Sequence, residues 1–354
     1  MTHVISTGRR GSSEPVNPDA KGNVLVGTTT PQTLENESDN TYVGKEAGVE
    51  REGGRNSAFG SEAGRGGKGT GADDECGVFV GYQAGLGCEE DYHTAVGALA
   101  AYKLVKVGGG TVENTFIGYE TGRESENAAN KPSTLVGAKA GYKQTGGVIT
   151  ATGGHAGEKN SGTGLVAFGL LAGAENEGTS TTVMGNEAGK ANSGAELTAV
   201  GLNAGFANKG ANVTGVGENA ASKNTGNEVT AVGGEAGKKA TGAKNTYIGQ
   251  QAGVEYTGSN ATVIGVNAGR EGSLSNVVVL GRGFAELSNS NQGVIIGSLP
   301  TNAKLLGGGE GVVALNNSKA KPTENHPSGG QLYAEAGKLF WRGSAGTVTE
   351  IAKA

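Results

Sequence analysis

Short apolar runs recur along the chain, and each of them ends at a glycine. Thr198–Gly201 is typical, with a threonine three residues before the glycine and an apolar residue directly before it. Such short runs, rich in β-branched residues and closed by glycine, predict strands followed by tight turns. No stretch keeps the 3.6-residue spacing of an amphipathic helix, and each interior glycine would cost a helix about 1 kcal/mol. The pattern predicts an all-β protein.

The glycines that close these runs, termed marker glycines, keep a common register. The first five steps between them are 16, 21, 16, 21 and 19 residues, and the next ten are all 16. This period predicts a parallel β-solenoid, a β-roll or β-helix of 16-residue coils with two short strands in each coil. Positions in a coil are numbered from the marker, so position −1 directly precedes it. The markers are Gly44, Gly60, Gly81, Gly97, Gly118, Gly137, Gly153, Gly169, Gly185, Gly201, Gly217, Gly233, Gly249, Gly265, Gly281 and Gly297.

Both faces of the predicted strands are apolar. Position −1 is apolar in fifteen of the sixteen coils, with Thr152 as the exception, and position −2 on the opposite face includes Tyr42, Phe79 and Ile295. A sheet with two apolar faces is normally covered on both. One face is expected to fill the coil and the other to pack against identical chains. We therefore predict a homo-oligomer, specifically a parallel homotrimer.

Composition narrows the class of protein. Glycine supplies 68 of the 354 residues and apolar residues only 35%, against about 45–50% in ordinary globular domains. A compact enzyme is therefore not expected. The net charge of −5 gives no basic face for nucleic acid. No apolar run reaches the ~18 residues of a membrane span, and none follows Arg9 and Arg10, so neither membrane insertion nor a signal peptide is expected.

The repeat also suggests how the chain is divided. Residues 41–297 are predicted to form the solenoid shaft, with the extra residues of the longer steps as surface loops. Residues 1–40 are predicted to anchor or cap it, because the ends of a solenoid need protection. Residues 298–327 are predicted to be a connector, and 328–354 a small β module of two or three strands.

Few residues suggest catalysis or metal binding. The acidic segment 73–75 is interpreted as a solvated loop rather than a cation site, and Glu75 with segment 89–91 as loop residues rather than a hydrolytic carboxylate pair. Cys76 and Cys88 are expected to be reduced and buried, although their pairing stays open. We predict no catalytic, cofactor or metal site, no cofactor and no enzymatic activity. The histidines lack metal-ligand spacing; they are His3, His93, His155 and His326.

Aromatic residues outside the buried positions are the remaining candidates for contact with a receptor or partner. Five tyrosines lie between residues 82 and 142, the part of the chain with insertions, and the single tryptophan lies in the C-terminal module. Such side chains stack on sugars or dock proteins, and they equally well pack beneath their own loops. The candidates are Tyr82, Tyr92, Tyr102, Tyr119, Tyr142 and Trp341.

The consensus T-x-[VI]-G-x-x-A-G resembles the β-roll of trimeric adhesin heads. It resembles more closely the T-A-V-G-x-x-A-G arrays in tail fibres and other structural proteins of tailed bacteriophages. Segments Gly329–Glu335, Lys338–Ser344 and Gly346–Thr349 are similar to a short terminal module of such phage proteins. Asn23–Thr30 is similar to a segment that precedes their arrays.

This resemblance implies a structural virion protein, made in the host cytoplasm, that serves as a tail fibre or a capsid-attached fibre and mediates host attachment. Its expected partners are two further copies of itself, other virion proteins and a host cell-surface receptor, polysaccharide included. Nucleic acid and membrane insertion are not expected. Two alternatives stay open: a bacterial surface adhesin or extracellular filament subunit, and a tailspike that depolymerises polysaccharide.

Overall fold

The computed structural model describes residues 22–27, 39–51, 53–66, 77–88, 93–107, 113–128, 132–283, 293–296, 312–315, 318, 321–324 and 329–352. Within these ranges every regular element is a β-strand and none is a helix. The chain divides into two compact units, Met1–Lys223 and Asn224–Ala354. Each unit is described below by itself.

One parallel sheet of short strands forms the first unit. Strands pair with the equivalent residue of the next coil, so that Ile149 lies beside Leu165 and Leu165 beside Thr181. The strands of this sheet are β1 (Val24–Val26), β2 (Thr41–Val43), β3 (Ser57–Phe59), β4 (Val78–Val80), β5 (His93–Val96), β7 (Asn114–Ile117), β9 (Ser133–Val136), β10 (Ile149–Thr152), β11 (Leu165–Phe168), β12 (Thr181–Met184), β13 (Leu197–Val200) and β14 (Val213–Val216). Two other strands, β6 (Val105–Val107) and β8 (Glu126–Ala128), pair with each other in parallel where two long coils carry extra residues.

The second unit contains a parallel sheet and a separate antiparallel sheet. In its parallel sheet Thr246 lies beside Thr262, again one coil apart. The parallel strands are β15 (Val229–Val232), β16 (Thr246–Ile248), β17 (Thr262–Ile264), β18 (Val277–Leu280), β19 (Gly293–Ile296) and β20 (Val312–Leu315). The antiparallel strands are β21 (Gln331–Glu335), β22 (Lys338–Arg342) and β23 (Val348–Ala352).

These elements confirm the predicted all-β parallel solenoid of 16-residue coils and the small C-terminal β module. The expectation of two strands per coil is wrong, because each described coil of the regular array has one strand and completes its circuit with turns. The parallel pairing also includes β1, in the predicted cap, and β20, in the predicted connector. The boundaries 1–40, 41–297, 298–327 and 328–354 stay predictions.

Side chains at position −2 and alanines at position +3 fill the interior of most coils; Thr121 replaces the alanine in one coil and Gly215 the position −2 side chain in another. Phe79, Phe116 and Leu135 at position −2 are fully buried, as are Ala140 and Ala156 at position +3. Because strand residues alternate between faces, a buried position −2 directs position −1 outward. Small residues at position +3 are required because a single coil encloses little space.

A column of asparagines at position +7 joins the coils of the first unit's regular part. Asn160, Asn176, Asn192 and Asn208 are fully buried. The Nδ2 groups of the last three donate to the Oδ1 atom of the asparagine one coil earlier, at 2.8–2.9 Å. Each of these Nδ2 groups also donates to the carbonyl of the glycine two residues later, at 2.8–2.9 Å. We call this column the asparagine ladder.

The turns alternate between left-handed and right-handed backbone. His155 and Lys159 have positive φ values of 57° and 52°, with Gly157 at 64° between them. The main-chain N–H groups of His155 and Lys159 donate to carbonyls of the preceding coil at 2.8 Å, whereas that of Gly157 donates to the following coil at 2.9 Å. Each turn therefore binds the coils on both sides of it.

The marker position requires glycine for two separate reasons. Gly185 has a φ of 135°, a region that residues with a Cβ rarely occupy. A Cβ at this position would also lie 2.5 Å from the carbonyl oxygen of Gly201 in the next coil. The main chains of stacked coils approach too closely here for any side chain.

Candidate interaction surface

In each unit, the outward face of the parallel strands carries a column of exposed apolar side chains at position −1. The exposed fractions of its more exposed members range from 37% for Val80 to 53% for Met184. The column also includes the half-buried residues Val43, Val96, Val136 and Ile264, and Thr152 interrupts it. We call this column the apolar stripe. Its most exposed members are Phe59, Val80, Ile117, Phe168, Met184, Val200 and Val216 in the first unit, and Val232, Ile248, Leu280 and Ile296 in the second.

The stripe is exposed because the opposite face of the same strands already fills the coil. Exposed threonines at position −3, such as Thr182, Thr198 and Thr230, stand beside it on the same face. Soluble monomers rarely expose continuous apolar patches larger than a few hundred Å². A column of Val, Ile, Phe and Met that repeats from coil to coil is therefore typical of a protein interface.

Two of the predicted contact residues lie at position +1, two residues beyond the stripe. Tyr82 and Tyr119 are 51% and 52% exposed. Leu170 and Leu202 occupy the same position in later coils and are exposed as well. A partner that covered the stripe would therefore lie close to both tyrosines.

Tyr102 and Tyr142 lie instead at position +5 and are half-buried beside cations. The guanidinium carbon of Arg123 is 5.2 Å from the centroid of the Tyr102 ring. The Nζ atom of Lys143 is 5.4 Å from the centroid of the Tyr142 ring. Cations near aromatic faces contribute about 0.5–1 kcal/mol at exposed sites. These residues form a cation–aromatic cluster on three coils that follow one another.

Ion pairs hold the cations of this cluster in place. Arg123 lies 2.6 Å from a carboxylate oxygen of Glu120 and 3.1 Å from one of Glu124. Lys143 lies 3.5 Å from Glu124. Desolvation opposes the ionisation of Glu124, but the hydrogen bonds and charges of Arg123 and then Lys143 outweigh it and lower its pKa. The Glu124 carboxylate therefore remains ionised at a lower pH than an isolated glutamate does.

The structure does not gather the six predicted contact residues into one site. Tyr82 and Tyr119 flank the stripe, and Tyr102 and Tyr142 belong to the cation–aromatic cluster. Trp341 lies on β22 with an exposed side chain. Tyr92 lies outside the described residues.

The residues that were weighed for catalysis or metal binding form no such site in the described part of the chain. Segments 73–75 and 89–91, together with Cys76, His3 and His326, lie outside it. Cys88 is a buried, unpaired thiol. His93 is buried near Phe116, and His155 lies 2.5 Å from Glu158. Over the described ranges no cluster of three or more potential ligands could hold a metal ion, and no helix could span a bilayer.

Sequence reasoning missed two buried polar features. The asparagine ladder is one, and its signal is the recurrence of asparagine every 16 residues from Asn160 to Asn224. The other is Arg51, which is buried with its guanidinium 4.4 Å from the centroid of the Phe79 ring. Both occupy position +7, whose residue type is constant only from Asn160 to Asn224.

Comparison with known proteins identifies no relative of this chain. No protein-family model matches the chain, and no curated protein or solved structure is significantly similar to it.

Proposed function

We propose that the protein is a non-enzymatic, homotrimeric fibre subunit of a tailed-phage virion that mediates host attachment. The apolar stripe carries this proposal, because a chain that exposes such a column gains stability by covering it. Burial of the exposed part of each Val, Ile or Phe contributes about 0.6–1.2 kcal/mol. Summed over successive coils, this gain is of the same order as the ~4–15 kcal/mol that association costs.

Identical chains cover the stripe more simply than any other partner does. Each coil presents an equivalent side chain one sheet spacing further along, so parallel chains meet level by level with the same residues opposed. The resemblance to trimeric β-rolls favours three chains. In such a trimer the stripe and its threonines face the partner chains.

Host attachment is proposed because one candidate contact surface would stay accessible on the trimer. The cation–aromatic cluster lies outside the stripe and would appear three times on the trimer. Aromatic rings with adjacent charged groups suit a polysaccharide or protein receptor. Three identical weak sites raise the avidity well above the affinity of one site. A tail fibre and a capsid-attached fibre use this property equally.

The oligomeric part of the proposal is tested by light scattering on matched valine variants. The wild type is expected at about three times the 35.1 kDa chain mass. Val200→Lys combined with Val216→Lys places charges in the stripe and is expected to yield folded monomer. Val148→Lys is the control, because Val148 is 43% exposed, close to the 39% of Val200, but lies outside the stripe. A folded wild type at monomer mass overturns the proposal.

The virion role and its alternatives require separate experiments. Labelled protein in purified phage particles is expected at the tail or the capsid surface, and binding to host cells is expected to weaken when the trimer dissociates. Export of the chain by a bacterial secretion system would instead support an adhesin. Release of reducing ends from host polysaccharide would support a depolymerising tailspike.

A further inference from the structure

The C-terminal antiparallel sheet, β21–β23, has almost no core of its own. Among residues 329–352 only Tyr333 and Ala334 are largely buried, and every residue of β23 is exposed. A small sheet needs a hydrophobic face, or packing against another element, for independent stability. With so little of its surface buried, this sheet would gain stability from a surface to pack against.

One face of this sheet presents a directly opposed apolar pair. Leu332 on β21 pairs with Trp341 on β22, and the two are 50% and 43% exposed. A Cβ on Gly330 would lie 2.0 Å from Cζ2 of Trp341, so the indole packs directly on the glycine and is fixed in place. On the opposite face, Tyr333 stacks on Phe340 at 5.3 Å between centroids. About half of the surface of the apolar pair is thus uncovered by the described part of the chain.

The apolar pair offers only a modest area. Leu332 and Trp341 are each about half exposed, whereas Val348 lies opposite Arg342 and therefore on the other face. Because a large side chain presents roughly 200 Å², the pair offers about 200 Å² in one chain and about 600 Å² in three chains. This is less than the ~1,000 Å² of a free-standing specific interface, so the contact requires chains that are already held together.

We propose that three copies of the β21–β23 sheet pack together through Leu332 and Trp341 and cap the end of the trimer. This inference rests on the proposed function, since a parallel trimer brings three sheets to the same end. Residues 316–328 separate Leu315 from Gly329, and thirteen residues reach at most about 45 Å. The three sheets are therefore held at high effective concentration.

The charges on the sheet favour association with copies of itself. Residues 329–352 contain two acidic residues, Glu335 and Glu350, and two basic residues, Lys338 and Arg342. Lys338 lies 3.1 Å from Glu350 within one sheet. With no net charge, three copies approach without repulsion. A strongly basic or acidic partner has no complementary patch here.

Trp341 is the only tryptophan in the chain, so the fluorescence of the unmodified protein reports on this one site. In the wild-type trimer we expect emission at short wavelength and little quenching by acrylamide. In the monomeric Val200→Lys/Val216→Lys variant we expect a shift to longer wavelength and severalfold stronger quenching. Leu332→Asp should expose Trp341 in the same way while the far-ultraviolet circular dichroism of the solenoid is retained. Ser344→Asp adds the same charge at an exposed residue of the module and should leave the fluorescence unchanged.

Light scattering on the same samples separates this inference from the proposed function. A trimer in which acrylamide quenches Trp341 as strongly as in the monomeric variant overturns the cap and leaves the fibre proposal standing. A shielded Trp341 in a monomeric wild type also overturns the cap, because burial within one chain would then explain it. An exposed Trp341 in a monomeric wild type overturns both.

Discussion

The first unit contains two kinds of coil, the interrupted coils of residues 39–128 and the regular coils of residues 132–223. Both have the outward stripe, the inward position −2 and the glycine marker. They differ at position +7, where the regular coils carry the asparagine ladder. The interrupted coils carry unrelated buried residues there, including Arg51, Cys88, Leu104 and Ser125.

In the coils that carry insertions, the lengthened turn explains why the asparagine ladder is absent. Each ladder asparagine donates to the carbonyl of the glycine at position +9, for example Asn192 to Gly194. In the three longer coils the extra residues begin at or just after position +7 and displace this glycine turn, whereas Arg51 and Cys88 lie in coils of 16 residues. Without it the amide loses a partner inside the coil, where an unsatisfied polar group costs about 1–3 kcal/mol. Residues with other means of packing therefore replace asparagine.

Removal of one residue of the asparagine ladder should cause the largest change in the free energy of unfolding. Asn192→Ala removes its bonds to Asn176 and Gly194, and it removes one of the two acceptors of the Asn208 amide. We expect a loss of about 3 kcal/mol in the free energy of unfolding. Ser125→Ala at the same position of an interrupted coil removes one bond, to Gly141, and should cost about 1 kcal/mol. Urea unfolding at equal protein concentration measures both, and equal losses would show that the ladder has no special role.

Extension of the asparagine ladder by one coil should raise the free energy of unfolding, by less than the removal of one residue lowers it. Gln144 is fully buried one coil before Asn160, and neither amide atom has a hydrogen-bond partner among the described residues. Gln144→Asn places a shorter amide where it can accept from Asn160 and donate to Gly146. We expect stability to rise by about 1–2 kcal/mol. Gln144→Ala is the control for removal of the unpaired amide, and a gain no larger than that of the control would contradict the expectation.

The smallest difference that we expect between the two kinds of coil is in how their contribution to the free energy of unfolding depends on pH. The ladder has no titratable group, whereas Glu124 in the interrupted coils has a lowered pKa. Its contribution is present above the unfolded pKa of about 4.3 and is lost as the pH falls through the lower folded value. Glu124→Gln should therefore destabilise slightly at pH 7 and not at pH 2, in urea unfolding at the two pH values. Asn192→Ala should cost the same at both, and a Glu124→Gln effect that persists at pH 2 would rule out this origin.

The sequence predicts the features that depend on period and alternation. Threonine, valine and glycine at fixed spacing predict the strands, their register and the inward and outward faces. The turns are harder, because Leu171 and Glu187 have positive φ values of 57° and 55° although neither residue type favours that region. The stacked main chain imposes these angles. A second strand was expected where these turns lie.

The residues of the candidate interaction surface are also predictable from the sequence only in part. The outward apolar column and the exposed tyrosines follow from position in the repeat. The environment of Tyr102 does not, because Arg123 reaches it across a 21-residue step that the 16-residue period does not describe. The burial of Arg51 against Phe79 depends in the same way on packing between coils.

The opposed N–H directions in the turns have an electrostatic consequence. In an α-helix every peptide dipole points the same way, so charge accumulates at the two ends. Here the N–H groups of His155 and Lys159 donate to the preceding coil and those of Gly157 and Ser161 to the following coil, so the dipoles of one coil largely cancel. Addition of a coil builds up no field along the stacking direction. The number of coils can therefore change in evolution without an electrostatic penalty at the ends.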